Sequence, residues 1–77
     1  MKIPDFLLAE FHQIVSPERR HLIEPDAELA AVGVDPADKL TLACAIDEAL
    51  LAEIPDAELS AWATVGDVVH SARKRGA

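Results

Sequence analysis

The feature that most restricts the fold is a helix start with its apolar face already attached. Asp35-Pro36-Ala37-Asp38 is followed by Leu42, Ala45, Ile46, Ala49 and Leu50, at i, i+3, i+4, i+7 and i+8. Aspartate before the first turn can cap it, proline suits the first helical position, and a carboxylate three residues after the cap lies near the positive end of the helix dipole. The spacing puts the five apolar residues on one stripe, which must be buried against other elements.

Two further helices and a short one follow from the same grammar. Leu7, Phe11 and Ile14, widened by Leu8 and Val15, predict a helix from Pro4 to Val15, with proline where a first turn tolerates it. Thr64-Val65-Gly66-Asp67 places a carboxylate three residues after a threonine cap and opens a last helix that buries Val65, Val68, Val69 and Ala72. Asp56 to Ala61 makes a short helix after Pro55, and Trp62 closes over the core. The chain is thus expected to be all-α, with three main helices and one short one. Gly76 and Ala77 are expected to fray.

The segment between the first and second main helices is long for so small a domain. It opens at Ser16-Pro17-Glu18, where the serine hydroxyl can cap a turn, and Leu22, Ile23, Leu29 and Val32 are its expected anchors to the core. The run Pro-Asp-Ala-Glu-Leu occurs at residues 25–29 and again at 55–59. The flanking periods do not match, so the repeat reads as shared helix-start grammar rather than duplication.

Charge and length limit what such a chain can do. Its 77 residues hold one domain with a modest core. From Glu24 to Asp67 eleven carboxylates face Lys39 alone, a net of ten negative charges. That region repels phosphate backbones and anionic lipid and favours basic partner surfaces. No nucleic-acid partner is expected. Arg73, Lys74 and Arg75 read as the basic end of a helix. No apolar run approaches the roughly 20 residues of a membrane span. Pro4, Asp5 and Glu10 interrupt the apolar residues near the start, which is wrong for a secretory signal, so the expected location is cytoplasmic. Cys44 is the only cysteine, which excludes an internal disulfide, and it is expected to be half-buried on its helix. His12, His21 and His70 have no metal-site spacing, so no metal is expected. The many carboxylates read as a solvated acidic face, and no nucleophile is placed beside a base, so no enzyme is expected.

Four stretches in order carry a family likeness: Leu29-Ala30-Ala31-Val32-Gly33-Val34-Asp35, then Ile46-Asp47-Glu48, then Glu53-Ile54-Pro55-Asp56, then Thr64-Val65-Gly66-Asp67-Val68-Val69. Together they resemble the acyl carrier and peptidyl carrier superfamily, over more than half the chain. The resemblance implies a bundle of three main helices and a short one. It also implies a serine, in D-S-L at the start of the second main helix, that carries phosphopantetheine. There Asp35 matches, but Pro36 and Ala37 replace the serine and leucine. The attachment site does not carry over, and no phosphopantetheine is expected.

The resemblance further implies that partner enzymes grip the outward side of this helix. Asp35, Ala37, Asp38, Thr41, Cys44, Asp47 and Glu48 are the candidate partner-binding residues, with a weakened stripe of Ala37, Thr41, Cys44 and Glu48. The expected function is an acyl-carrier-like binding module, monomeric, meeting basic surfaces of carrier-processing enzymes or holding an acyl chain noncovalently between its helices. The alternatives are a carrier modified at Ser16, Thr41, Ser60 or Ser71, whose hydroxyls otherwise read as caps or solvent-facing groups, and a structural partner unrelated to acyl chemistry. Direct acylation of Cys44 is the remaining chemical possibility.

Overall fold

Five α-helices and one 3-10 segment make up the computed structural model, which describes residues 2–77. α1 spans Asp5–Ile14 and buries Leu7 and Phe11, with Val15 buried just beyond its end. These sit at i, i+4 and i+8, so one line of α1 faces inward while Leu8 and Ile14 stay half-buried. Pro4 lies before the helix rather than in its first turn; its carbonyl accepts from the amides of Leu7 and Leu8 at 3.0 and 2.9 Å. The expected bounds therefore contract by one residue at each end.

The long connection is not structureless. Pro17–Leu22 forms the 3-10 segment, and Ser16 precedes it without the expected side-chain cap: its backbone carbonyl, not its hydroxyl, accepts from the Arg19 amide at 2.9 Å. No side chain of this segment is buried, and Leu22 is 40% exposed, so it is not the anchor its hydrophobicity suggests. Arg20 does the anchoring instead, donating to the His12 carbonyl at the end of α1 at 2.8 Å. Ile23 packs partly against the core, and Leu29 and Val32 are buried as expected.

Leu29–Val32 forms α2, a four-residue helix that the sequence reading treats as connection. It ends at Gly33, whose φ of 92° lets the Gly33 amide reach the Ala30 carbonyl and the Val34 amide reach that of Leu29, at 3.2 and 2.9 Å. Just before α2 the backbone runs beside the start of the last helix. Leu29 donates to the Ala63 carbonyl, Val65 to that of Ala27 and Gly66 to that of Pro25, at 2.9, 2.9 and 2.7 Å.

α3 spans Pro36–Leu50 and is the longest element. Its buried face is Leu42, Ala43 and Ile46, with Ala45 and Leu50 half-buried and Ala49 exposed. The face is thus rotated from the expected stripe towards Ala43, the side on which Ile54 and Leu59 pack. The helix stops at Leu51, which is left-handed with φ 53° and 90% exposed. A left-handed leucine costs about 1–2 kcal/mol relative to a relaxed backbone, and here no packing offsets it. Leu51→Gly is expected to raise stability by about 1 kcal/mol, read as a higher urea midpoint at unchanged slope.

α4, Asp56–Ser60, buries only Leu59, and Trp62 follows it into the core as expected. α5 runs Val65–Arg73 and buries Val65, Val68, Val69 and Ala72, again as expected, together with Ser71. The residues after α5, expected to fray, carry backbone hydrogen bonds to it. Gly76, at φ 112°, donates to the Arg73 carbonyl and Ala77 to that of Ala72, at 3.0 and 3.1 Å, closing the helix end. All helices share one core centred on Phe11, Leu42, Ile46 and the valines of α5. The protein is all-α, with three long helices as expected but two short ones where one was expected. No helix among the described residues is long and apolar enough to cross a membrane.

Candidate functional site

The start of α3 is built by a reciprocal cap. Asp35 Oδ1 accepts from the Asp38 amide at 2.8 Å, and the Asp35 amide donates to Asp38 Oδ2 at 3.1 Å. Pro36 occupies the first helical position and is exposed. With neither a hydroxyl nor an amide proton, it contributes shape and no chemistry.

From there the expected stripe is indeed on the surface. Ala37, Thr41, Cys44, Asp47 and Glu48 are exposed, and the Thr41 hydroxyl turns back to the Ala37 carbonyl at 3.4 Å. Cys44 is exposed rather than half-buried: it stands roughly 200° around the helix from Leu42 and so faces away from the buried Leu42 and Ile46. Asp35 and Asp38 each spend a carboxylate oxygen on the cap, so Asp47 and Glu48 carry the less encumbered charge of this face. Leu40, 54% exposed, belongs to the same surface and escaped the sequence reading. Its signal was its place three and four residues from Ala37 and Cys44.

Two hollows flank α3. One of about 430 Å³ lies beside Pro36 over Leu29, Val34 and Trp62. Lys39 crosses its edge and donates to the Trp62 carbonyl at 2.7 Å. The other, about 140 Å³, lies between α3 and α4, with Leu40, Ala43 and Cys44 on one side and Ile54 and Leu59 on the other.

The hydroxyls weighed as alternatives are scattered. Ser16 and Ser60 are exposed and away from the start of α3, whereas Ser71 is buried and accepts from the Trp62 indole at 2.8 Å, contrary to a cap or solvent-facing role. Ser71 is therefore a core contact rather than an accessible hydroxyl.

The strongest electrostatic coupling lies away from the stripe. Glu58 receives both arms of the Arg75 guanidinium at 2.8 and 3.0 Å, and Lys74 approaches the same carboxylate to 3.2 Å. The Arg75 hydrogen bonds, helped by Ser71, hold the Glu58 carboxyl well below its ordinary 4.5, at about 2. The folded state thus binds this proton less tightly than the unfolded one. Its stabilisation is complete above the ordinary carboxylate range and is lost as pH falls towards 2. In α5, the amides of Ala63 and Thr64 lower Asp67 in the same direction, at 2.8 and 3.0 Å from its Oδ2. Reading Glu58 as part of a solvated acidic face missed this pairing, whose partners are 17 residues apart.

No protein-family model matches the chain, and neither the curated proteins nor the solved structures contain a match.

Proposed function

We propose that this chain is an acyl-carrier-like binding module that takes no phosphopantetheine arm and acts through protein contacts in or near acyl, polyketide or peptide assembly. The observation that carries the reading is Pro36: an exposed proline in the first position of an intact, reciprocally capped helix. A serine at that place would be a modification site; a proline keeps the helix and removes the nucleophile. An all-α chain with long helices α1, α3 and α5 and a short α4 before the last of them supports the same reading.

The partner face is formed by Asp35, Ala37, Asp38, Thr41, Cys44, Asp47 and Glu48. Its carboxylates favour a basic surface on a carrier-processing enzyme, and its small side chains permit close approach. An apolar chain held noncovalently would enter between the helices.

Intact mass after incubation with a phosphopantetheinyl transferase and coenzyme A tests this directly. The mass is expected to stay unchanged; an added phosphopantetheine would overturn the reading, and peptide mapping would then locate the modified residue. The double substitution Pro36→Ser with Ala37→Leu is expected to fold with stability within about 1 kcal/mol of the parent, because both residues suit a first helical turn. Modification of that variant would identify the hydroxyl as the missing group. If it folds and resists modification, the remaining face of α3 is also unfit for the transferase.

A further inference from the structure

We propose that Arg75 is a strap that holds α4 in place, and that α4 with the backbone leading into it is the part of the molecule set to open when the strap is released. α4 has little of its own to keep it folded. Five residues are far below the length at which a helix is stable alone, its first turn has no side-chain cap, and Leu59 is its single buried side chain. α3 and α5, by contrast, each begin in a reciprocal cap.

Arg75 supplies what α4 lacks. Its Nη1 and Nη2 donate to Glu58 on α4, its Nε donates to the Glu53 carbonyl at 3.2 Å, and Nη1 also donates to the Ser71 carbonyl at 3.0 Å. One planar guanidinium therefore joins the chain before α4, α4 itself and α5. The Arg75 side chain is only 14% exposed, so this fork is better shielded from solvent than an ordinary surface pair. Lys74, 49% exposed, adds little by comparison.

Opening has a defined consequence. Ile54 and Leu59 form the α4 side of the hollow against α3, so movement of this segment widens the hollow beside Cys44 and uncovers apolar core. The strap does not depend on the proposed carrier-like role, and its test is separate from the mass measurement.

Native-state hydrogen exchange on the whole chain tests it, comparing the parent with Arg75→Met, Arg75→Lys and Glu58→Gln. The Leu59 and Trp62 amides, which donate to the Pro55 and Leu59 carbonyls at 3.2 Å each, report α4. In Arg75→Met they are expected to exchange about tenfold faster or more, after correction for any change in global stability, while amides of α1 and α3 keep the global rate. Arg75→Lys is expected to fall between, since an ammonium keeps the charge but cannot fork to Glu53 as well. Should Arg75→Met not fold, Glu58→Gln removes the charge from the pair at nearly constant volume and gives the same readout. Unchanged exchange at Leu59 and Trp62, or acceleration equal to that of Phe11 and Leu42, overturns the proposal.

Discussion

Gly66→Ala is expected to destabilise the protein by about 1–3 kcal/mol, although helix propensity alone gives the opposite sign. Gly66 lies in α5 without a left-handed backbone, and alanine at such a position ordinarily stabilises by about 1 kcal/mol. The decisive contact comes from elsewhere in the chain. A Cβ on Gly66 would lie 2.7 Å from the Pro25 carbonyl oxygen, and the atom in the way is backbone that cannot rotate aside. Relieving it means moving the strand-like passage at 25–29, which is tied to the start of α5 by three backbone hydrogen bonds. Overpacking of about 1–3 kcal/mol and weakening of at least one of those bonds together outweigh the propensity gain. A domain of this size is expected to have only about 4–12 kcal/mol in all, so the loss shows clearly in urea denaturation. Gly76→Ala is the matched control: its φ is positive but the space is open, so the cost is about 1 kcal/mol or less. A gain in stability for Gly66→Ala would mean that the passage yields freely and that α5 is not held by it.

The same passage shows where local sequence stops being sufficient. Pro25-Asp26-Ala27-Glu28-Leu29 and Pro55-Asp56-Ala57-Glu58-Leu59 are identical in five residues. The second is helical from Asp56, whereas the first is a turn that extends at Glu28 and pairs with Thr64. The amides of Val65 and Gly66, which have no partner within α5, recruit the carbonyls of Ala27 and Pro25, and that tertiary demand outweighs a helical preference both copies share. Caps are different in kind. Asp35 with Asp38 and Thr64 with Asp67 satisfy amides within one turn, so their residue types predict them without knowledge of the fold. Burial on α3 falls between the two cases: Leu42 and Ile46 follow from periodicity, but the choice of Ala43 over Ala49 depends on where Ile54 and Leu59 settle.

The candidate site divides along the same line. Pro36 in first position and the outward direction of Ala37, Thr41 and Glu48 are legible from spacing within one helix. The outward position of Cys44 and Leu40 is legible in the same way, since both lie on the side of the helix away from Leu42 and Ile46; what no local pattern records is the burial of Ala43 in place of Ala49. The pairing of Glu58 with Arg75 is harder still, because it depends on the end of α5 returning to α4.

Ser71→Ala is expected to cost about 1–3 kcal/mol, a large effect for the loss of one oxygen from a helix in which alanine is otherwise preferred. Trp62 is 4% exposed and its indole N–H donates to the Ser71 hydroxyl at 2.8 Å. Removing the acceptor leaves that donor buried without a partner in a core too apolar to supply another. The hydroxyl also helps hold the Glu58 carboxylate ionised, so the substitution disturbs the contact between α4 and α5 from both sides. The cause can be separated from lost packing by a double-mutant cycle with Trp62→Phe, which keeps an aromatic ring but has no donor to orphan. Ser71→Ala is expected to cost less than about 1 kcal/mol in the Trp62→Phe background, because the unsatisfied group is no longer present. Equal costs in both backgrounds, measured by urea denaturation, would assign the effect to the Glu58 side of the hydroxyl instead. In that case the network that fixes α4 would begin at the Arg75 guanidinium and end at Ser71, without passing through the tryptophan to the core.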